Sequence, residues 1–262
     1  MWPDVLRFDL RLRRRMLLWT AGGVVAYVFL IVAVYPSFKG DTSLDAMIQA
    51  NPAAASAFGI SGSITTPAGW LNANVYANIG PLLALLLTIG YGAAAVAGQD
   101  ADGTLGLLAT LPMSRTRLVL AKTWTLLLIA LVVPVATLVV CLAGPRFALT
   151  PDWGALLGVT VTLTLLAFIF GACTMFVGAL TGSRGAATGA ASALAAAAYL
   201  ISSLGPVVPE LHSIRWLAPF SWAVGNDQLD HGPTTVEMLA LLGLAAALAV
   251  ATISAFRRLD IH

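Results

Sequence analysis

WGALLGVTVTLTLLAFIFGACTMFVGAL, residues 153–180, contains no charged side chain and no proline. As an α-helix it would measure about 42 Å at about 1.5 Å per residue, more than the roughly 30 Å of hydrocarbon that a bilayer presents. Lipid offers no water to exposed backbone N–H and C=O groups, so a segment this apolar closes its own hydrogen bonds as a helix. Working outward, five more such runs occur, at 16–35, 76–97, 118–142, 187–205 and 234–256. The whole chain agrees: of 262 residues, 59% are hydrophobic and 10% charged, and the mean hydropathy is +0.88, outside the range of soluble domains. The expected fold is an all-α membrane protein, one domain over residues 1–262 with six transmembrane helices.

An even number of spans places both termini on one side, and the positive charges choose the side. Arg7, Arg11, Arg13, Arg14, Arg15, Arg115, Arg117, Lys122, Arg184, Arg257 and Arg258 fall on the terminal side, against Lys39, Arg146 and Arg215 opposite. The termini are therefore expected in the cytoplasm. Five arginines precede the first run and Tyr35-Pro36 follows it without a small-residue cleavage pattern, so it is expected to stay in the mature chain. Cys141 and Cys173 lie within apolar spans and read as small buried hydrophobes rather than a disulfide framework. Lysine occurs only at positions 39 and 122 amid abundant alanine and glycine, a composition that fits a GC-rich bacterial genome.

Residues 1–15 have helical amphipathic spacing. Trp2, Val5, Leu6, Phe8, Leu12 and Met16 share one face, and Asp4, Arg7, Arg11, Arg14 and Arg15 the other. Such a helix can lie in the interface with its arginines on anionic headgroups; the other reading is topogenic charge before a first span. Asp9 and Arg13 interrupt the apolar face. The outer loop from Ser37 to about Val75 is expected to cap the outer mouth. Residues 206–233 are mixed, with Pro206, Pro209 and Pro219 among apolar residues, and two readings fit: a re-entrant pair of short helices before the last span, or a surface loop. Gly185, Gly189, Ala193 and Ala197 recur every four residues, a small-residue stripe serving either packing within the chain or dimerisation. Pro134 is expected to kink the third span.

Several chemistries find no residues to carry them. Lys122-Thr123 has no glycine-rich turn before it, so the chain lacks a phosphate-binding loop of the ATPase type. His212, His231 and His262 are far apart and suggest no metal site. Charges within spans, which would mark an ion relay, are nearly absent: Glu237 lies at an outer end and Lys122 at an inner one. Gly59-Ile60-Ser61-Gly62 is similar to the Gly-Xaa-Ser-Gly of rhomboid intramembrane proteases, with His212 or His231 as base. This alternative suffers because the serine lies in a polar loop outside every span.

Between the second and third spans, residues 99–117 form one polar hairpin. Asp102 or Thr104 can cap a short helix, Leu105, Leu107, Leu108 and Leu111 give it an apolar side, and Pro112 stops it. A short cytoplasmic helix flanked by Asp100, Asp102, Arg115 and Arg117 suits docking into a groove of a soluble partner; a plain connecting loop is the other reading.

Gly103-Thr104-Leu105, Leu107-Leu108, Pro112, Ser114-Arg115 and Lys122 resemble, at these spacings, the signature of ABC-2 type transport permeases. The basic N-terminal helix, the six spans, Thr181-Gly182-Ser183-Arg184 before the fifth span and Phe256-Arg257-Arg258-Leu259-Asp260 at the end agree with it. Where the family usually has glutamate before Gly-Thr-Leu, this chain has Gln99, Asp100 and Asp102. The resemblance implies an exporter permease in the bacterial plasma membrane. Its coupling surface would be Asp100, Asp102, Gly103, Thr104, Leu105, Leu107, Leu108, Pro112, Ser114 and Arg115. It implies a separate ABC ATPase subunit that holds ATP and Mg, a second permease copy or paralogue, the lipid bilayer as surroundings, and no nucleic acid. It implies no catalytic residue, metal or cofactor in this chain. Thr66-Pro67-Ala68-Gly69-Trp70-Leu71 is also similar to permeases of antibiotic or polyketide export, which points to a hydrophobic or amphipathic cargo. A non-transporting membrane scaffold or immunity subunit is the third alternative.

Overall fold

The computed structural model describes residues 2–51, 62–98, 115–206, 208–225 and 228–257. Among these residues every regular element is helical, and six helices are long and apolar enough to cross a membrane. The first, α1 (Trp2–Val34), is followed by α2 (Thr42–Ala50) and then by the second span, built from α3 (Pro67–Leu71), a π-helical turn (Asn72–Tyr76), α4 (Ile79–Ala93) and a second π-helical turn (Ala94–Gly98). The third span is α5 (Arg115–Ala130) with α6 (Val132–Cys141), the fourth α7 (Trp153–Thr181) and the fifth α8 (Arg184–Leu204). Three short helices, α9 (Pro209–His212), α10 (Pro219–Ala223) and α11 (Gln228–His231), lead to the sixth span, α12 (Thr235–Arg257).

Sequence chemistry accounts for the helix boundaries. Asp152 caps α7 by accepting from the Ala155 N–H at 2.7 Å, and Gly182, at φ 62°, ends it in the left-handed conformation glycine tolerates. Ser183 then caps α8 through the Ala186 N–H. Thr234 and Glu237 form a reciprocal capping box at the start of α12: the Thr234 N–H donates to Glu237 at 2.8 Å, and the Glu237 N–H donates to the Thr234 hydroxyl at 3.3 Å. Glu237 thus serves a helix end and not the interior of a span. Pro134 has no N–H for the Ala130 carbonyl, and the third span divides at Leu131.

The fourth span is the centre of the bundle. It packs chiefly on α12 and α4, then on α8, α5, α10 and α6, while α1 lies along the third span against α5 and α6. Leu156, Leu163, Leu166, Ala167 and Phe170 of α7 are buried with Leu126, Ile129 and Val96. Hydroxyls inside the spans bond their own helix: Thr88 to the Ala84 carbonyl, Thr125 to Ala121, Thr164 to Thr160 and Thr174 to Phe170. Each of these four donors is thereby paired within its own helix. Leu12, Leu18, Trp19 and Leu30 of α1, and Val236, Leu239 and Val250 of α12, are exposed. Those faces suit acyl chains, since a membrane protein has no need to hide apolar side chains from its solvent.

Two segments differ from the sequence reading. Residues 2–16 do not form a helix separate from the first span: α1 runs unbroken for 33 residues, about 50 Å at about 1.5 Å per residue. The reason is that Asp9 and Arg13, which interrupt the apolar face, are held against neighbouring helices and no residue in the stretch breaks the helix. The second span begins at Pro67 rather than at 76, because Thr66 caps α3 by accepting from the Gly69 N–H at 3.1 Å and proline fits the first helical position.

Candidate functional site

Gly98 and Arg115 bound the hairpin, and the residues between them lie outside the described residues. Asp100, Asp102, Gly103, Thr104, Leu105, Leu107, Leu108, Pro112 and Ser114 are therefore not described; Arg115 opens α5. What the structure does describe is the pair of helices leaving the hairpin and what holds them.

One helical turn above the π-helical segment, Tyr91 is buried in α4. Its hydroxyl lies 3.0 Å from Asp9 Oδ2 and 3.2 Å from the Lys122 carbonyl. Lys122 Nζ stands 3.7 Å from the same Asp9 oxygen, and both side chains are withdrawn from solvent, at 0% and 1% exposure. The Arg13 guanidinium, one turn along α1 from Asp9, sits 5.0 Å from the centre of the Tyr91 ring. Three spans thus meet at one ionic cluster: α1 gives Asp9 and Arg13, α4 gives Tyr91, and α5 gives Lys122. A lone buried charge in this setting is very costly, whereas a paired and hydrogen-bonded one is tolerated. Sequence reading placed Lys122 at a span end and Asp9 on an apolar face without joining them. Two opposite charges, each facing the apolar side of its own helix, were the available signal.

The second span also carries a close helix crossing beside this cluster. A Cβ at Gly92 would stand 2.5 Å from the Gly171 carbonyl oxygen and 2.9 Å from Thr174 Cβ, so α4 and α7 touch backbone to backbone there.

At the far end of the bundle α1 is tied to the second span again. Tyr27 donates to the Asn74 carbonyl at 2.7 Å, the Trp70 indole N–H to the Ile31 carbonyl at 2.9 Å, and Tyr35 to the Thr65 carbonyl at 2.9 Å. The Trp70 ring stacks on Phe38 at 5.2 Å. A Cβ at Gly69 would fall 1.8 Å from the Ser63 carbonyl oxygen, which makes glycine obligatory for that turn. Within Thr66-Pro67-Ala68-Gly69-Trp70-Leu71, Thr66, Pro67, Gly69 and Trp70 thus each serve the cap. Beside it Asp45 of α2 accepts from the Ser63 and Thr65 hydroxyls at 2.7 and 2.9 Å and from the Ile64 N–H at 3.0 Å. These bonds, that from Ser63 first, hold the Asp45 carboxyl below its ordinary range.

The segment before the last span enters the bundle. Phe220 is buried between Phe170 of α7 and Tyr199 of α8, with ring centres at 5.8 and 5.6 Å. Two carbonyls of its irregular backbone are met by side chains, Thr162 donating to Ala223 at 2.6 Å and Gln228 to Trp222 at 2.7 Å, and Arg215 in turn donates to the Ser202 carbonyl near the end of α8 at 3.2 Å. Within this segment α10 is packed against the spans, whereas most of residues 209–217 is exposed, so the stretch combines a buried short helix with a surface stretch. Tyr199 also donates to the Asn78 side-chain oxygen, at the break between the π-helical turn and α4.

Ala187, Ala191, Ala195 and Ala198 form the buried face of α8. Gly185, Gly189, Ala193 and Ala197 fall on the exposed face, and around Gly185 and Gly189 there is open space. The stripe is not used for packing within the chain. Ser61 lies outside the described residues. Among the described residues no three His, Cys, Asp or Glu side chains gather as a metal cluster.

These features define a polytopic helical membrane protein whose ionisable side chains, among the described residues, sit at span ends or between spans. The family model described as ABC-2 family transporter protein matches residues 5–261. The chain belongs to that family and is the membrane component of an ABC transporter, not itself the catalytic part. No curated protein gives a significant match.

Proposed function

We propose that this chain is the permease half of an ATP-driven exporter that moves a hydrophobic or amphipathic cargo, such as a drug, antibiotic or lipid-like molecule, across the bacterial plasma membrane. ATP and Mg are held by a separate ATPase subunit that docks on residues 99–117, on the cytoplasmic side with both termini. The observation that carries the reading is the family match over residues 5–261. The bundle itself supports it. The hairpin is continuous with the second and third spans, which Tyr91 and Lys122 join to each other and to Asp9. A partner shifts a transporter between access states only by binding those states with different affinity.

A second permease copy or paralogue would cover the exposed face of α8, where Gly185, Gly189, Ala193 and Ala197 allow backbones to approach closely. Ala193→Cys should then cross-link between copies in native membranes. If only lipid covers this face, no cross-linked dimer will form.

The test of the whole reading is co-purification with an ATPase encoded beside the chain. Gly103→Pro should weaken that association or uncouple hydrolysis. Full ATP-dependent transport by Gly103→Pro would refute the docking surface, and transport by the purified chain alone would refute the division of labour. Loss of a hydrolytic activity in Ser61→Ala would instead favour the protease.

A further inference from the structure

We infer that Asp9, Tyr91 and Lys122 form a transmission node that makes α1 move as one body with both legs of the hairpin. The inference rests on the reading of residues 99–117 as the docking surface and deepens it. Tyr91 lies in the leg that enters the hairpin and Lys122 in the leg that leaves it, and Asp9 receives both: the Tyr91 hydroxyl at 3.0 Å and Lys122 Nζ at 3.7 Å. The Tyr91 hydroxyl also lies 3.2 Å from the Lys122 carbonyl, so the two legs touch each other as well as α1.

The chemistry selects how these helices can move. Asp9 and Lys122 are both withdrawn from solvent, so drawing α1 away from either leg would separate the buried ion pair or break its bond to Tyr91, which is costly away from water. Motions that keep the three helices together carry no such cost. A push on the hairpin is therefore delivered to α1, whose long helix continues to the far-end contacts at Tyr27, Ile31 and Tyr35. Asp9, Tyr91 and Lys122 act here as positioning residues.

Two measurements test this. In the isolated chain, with Cys141 and Cys173 replaced by alanine, spin labels at Leu12→Cys and Arg117→Cys should give one narrow distance. Lys122→Met should broaden it and Lys122→Arg should keep it narrow; a distribution unchanged in Lys122→Met overturns the node. In the complex with its ATPase, that distance should stay constant within about 2 Å between nucleotide-free and ATP-trapped states, a change beyond the scale of a local helix shift being contrary to the inference. Lys122→Met should leave ATPase binding within about twofold of wild type while lowering permease-stimulated hydrolysis about tenfold, the size of an ordinary coupling between sites. Lys122→Arg should restore it, and Tyr91→Phe, which keeps the ion pair and so folds more readily, should lose about threefold. Full stimulation in both Lys122→Met and Tyr91→Phe would refute the role. Should wild-type chain bind no ATPase at all, the docking reading fails, while the label distances in the isolated chain still decide whether the clamp exists.

Discussion

Replacing Gly92 by alanine should destabilise the protein, whereas the same change two residues earlier, at Gly90, should not. The Cβ introduced by Gly92→Ala would meet the Gly171 carbonyl oxygen at 2.5 Å, Thr174 Cβ at 2.9 Å and the Met175 nitrogen at 3.3 Å. Ordinary carbon–oxygen contacts begin at about 3.3 Å, so α4 would have to withdraw from α7 by roughly 0.8 Å, and packed interiors resist such shifts. The fourth span cannot yield on its side, since a Cβ at Gly171 would itself stand 2.4 Å from Leu126 Cδ1 and 3.0 Å from Thr88 Cβ. Overpacking of this kind costs about 1–3 kcal/mol. Gly90 has open space around it, and alanine there gains about 0.5–1 kcal/mol of helix preference over glycine. The same helix preference offsets part of the overpacking at Gly92, leaving about 1.3 kcal/mol at the midpoints; at about 2–4 °C per kcal/mol for a chain of this size, Gly92→Ala should melt about 3–5 °C below wild type, and Gly90→Ala at or slightly above it. Thermal unfolding in one detergent, followed by the loss of the monodisperse peak in size exclusion, makes the comparison. Equal melting of the two variants, or greater harm at Gly90, would show that the α4–α7 crossing is not as close as described.

Other perturbations separate packing from polar ties. Thr162→Val, which removes the bond to the Ala223 carbonyl, should cost about 1 kcal/mol, the upper range for hydrogen bonds between membrane helices, while Thr164→Val, whose hydroxyl serves only its own helix, should cost less; a reversed order in melting temperature would refute the tie. The carboxyl of Asp45 is depressed below its ordinary 3.8, so its stabilisation is complete above about pH 4 and is lost as pH falls through the folded value. Hydrogen exchange at the Ile64 amide, corrected for intrinsic rate, should accelerate as the pH is taken below about 4 and the carboxylate is protonated, and Asp45→Asn should abolish that pH dependence. Gly69→Ala should dismantle the far-end cap, seen as faster exchange through residues 63–71, because its Cβ would overlap the Ser63 carbonyl; unchanged exchange there would count against the turn.

The helical class and the number of spans were legible because they depend on composition over about 20 residues, and lipid admits few alternatives to a helix. Boundaries were legible where a cap and an apolar run coincide, as at Asp152 before α7. They were missed at Thr66-Pro67, where Gly69, Asn72, Asn74 and Asn78 lower the local hydropathy although the capping signal is present. The stretch from Pro209 to Ala223 stayed between two readings, since the burial of α10 depends on Thr162, Phe170 and Tyr199, distant residues that no local pattern announces. For the ionic cluster the two opposite charges on apolar faces were visible, but not their pairing. Asp9 and Lys122 are joined through the bundle, and each alone reads as a charge near a helix end. The small-residue stripe of α8 was visible in the spacing, but whether Gly185 and Gly189 faced inward depended on which side of the helix met α7.

The polar contacts of α1 with the second span impose a further geometric condition. Asp9 and Tyr27 are separated by about 27 Å along α1, and their partners Tyr91 and Asn74 by a similar length of the second span, at about 1.5 Å per residue. Between these two rungs α1 packs on the third span instead. Arg11, Arg14 and Arg15 lie exposed between the two rungs, so the Asp9 rung stands on the charged side of the apolar run that begins at Met16 and the Tyr27 rung within that run. Sliding α1 along the second span by one residue would break the Tyr91–Asp9, Tyr27–Asn74 and Trp70–Ile31 bonds together, each worth up to about 1.7 kcal/mol in a membrane helix pair. Tilting both helices as a frame breaks none of them. A tilt of that kind would carry Gly98 and Trp70 together without rearranging the side chains that join α1 to the second span.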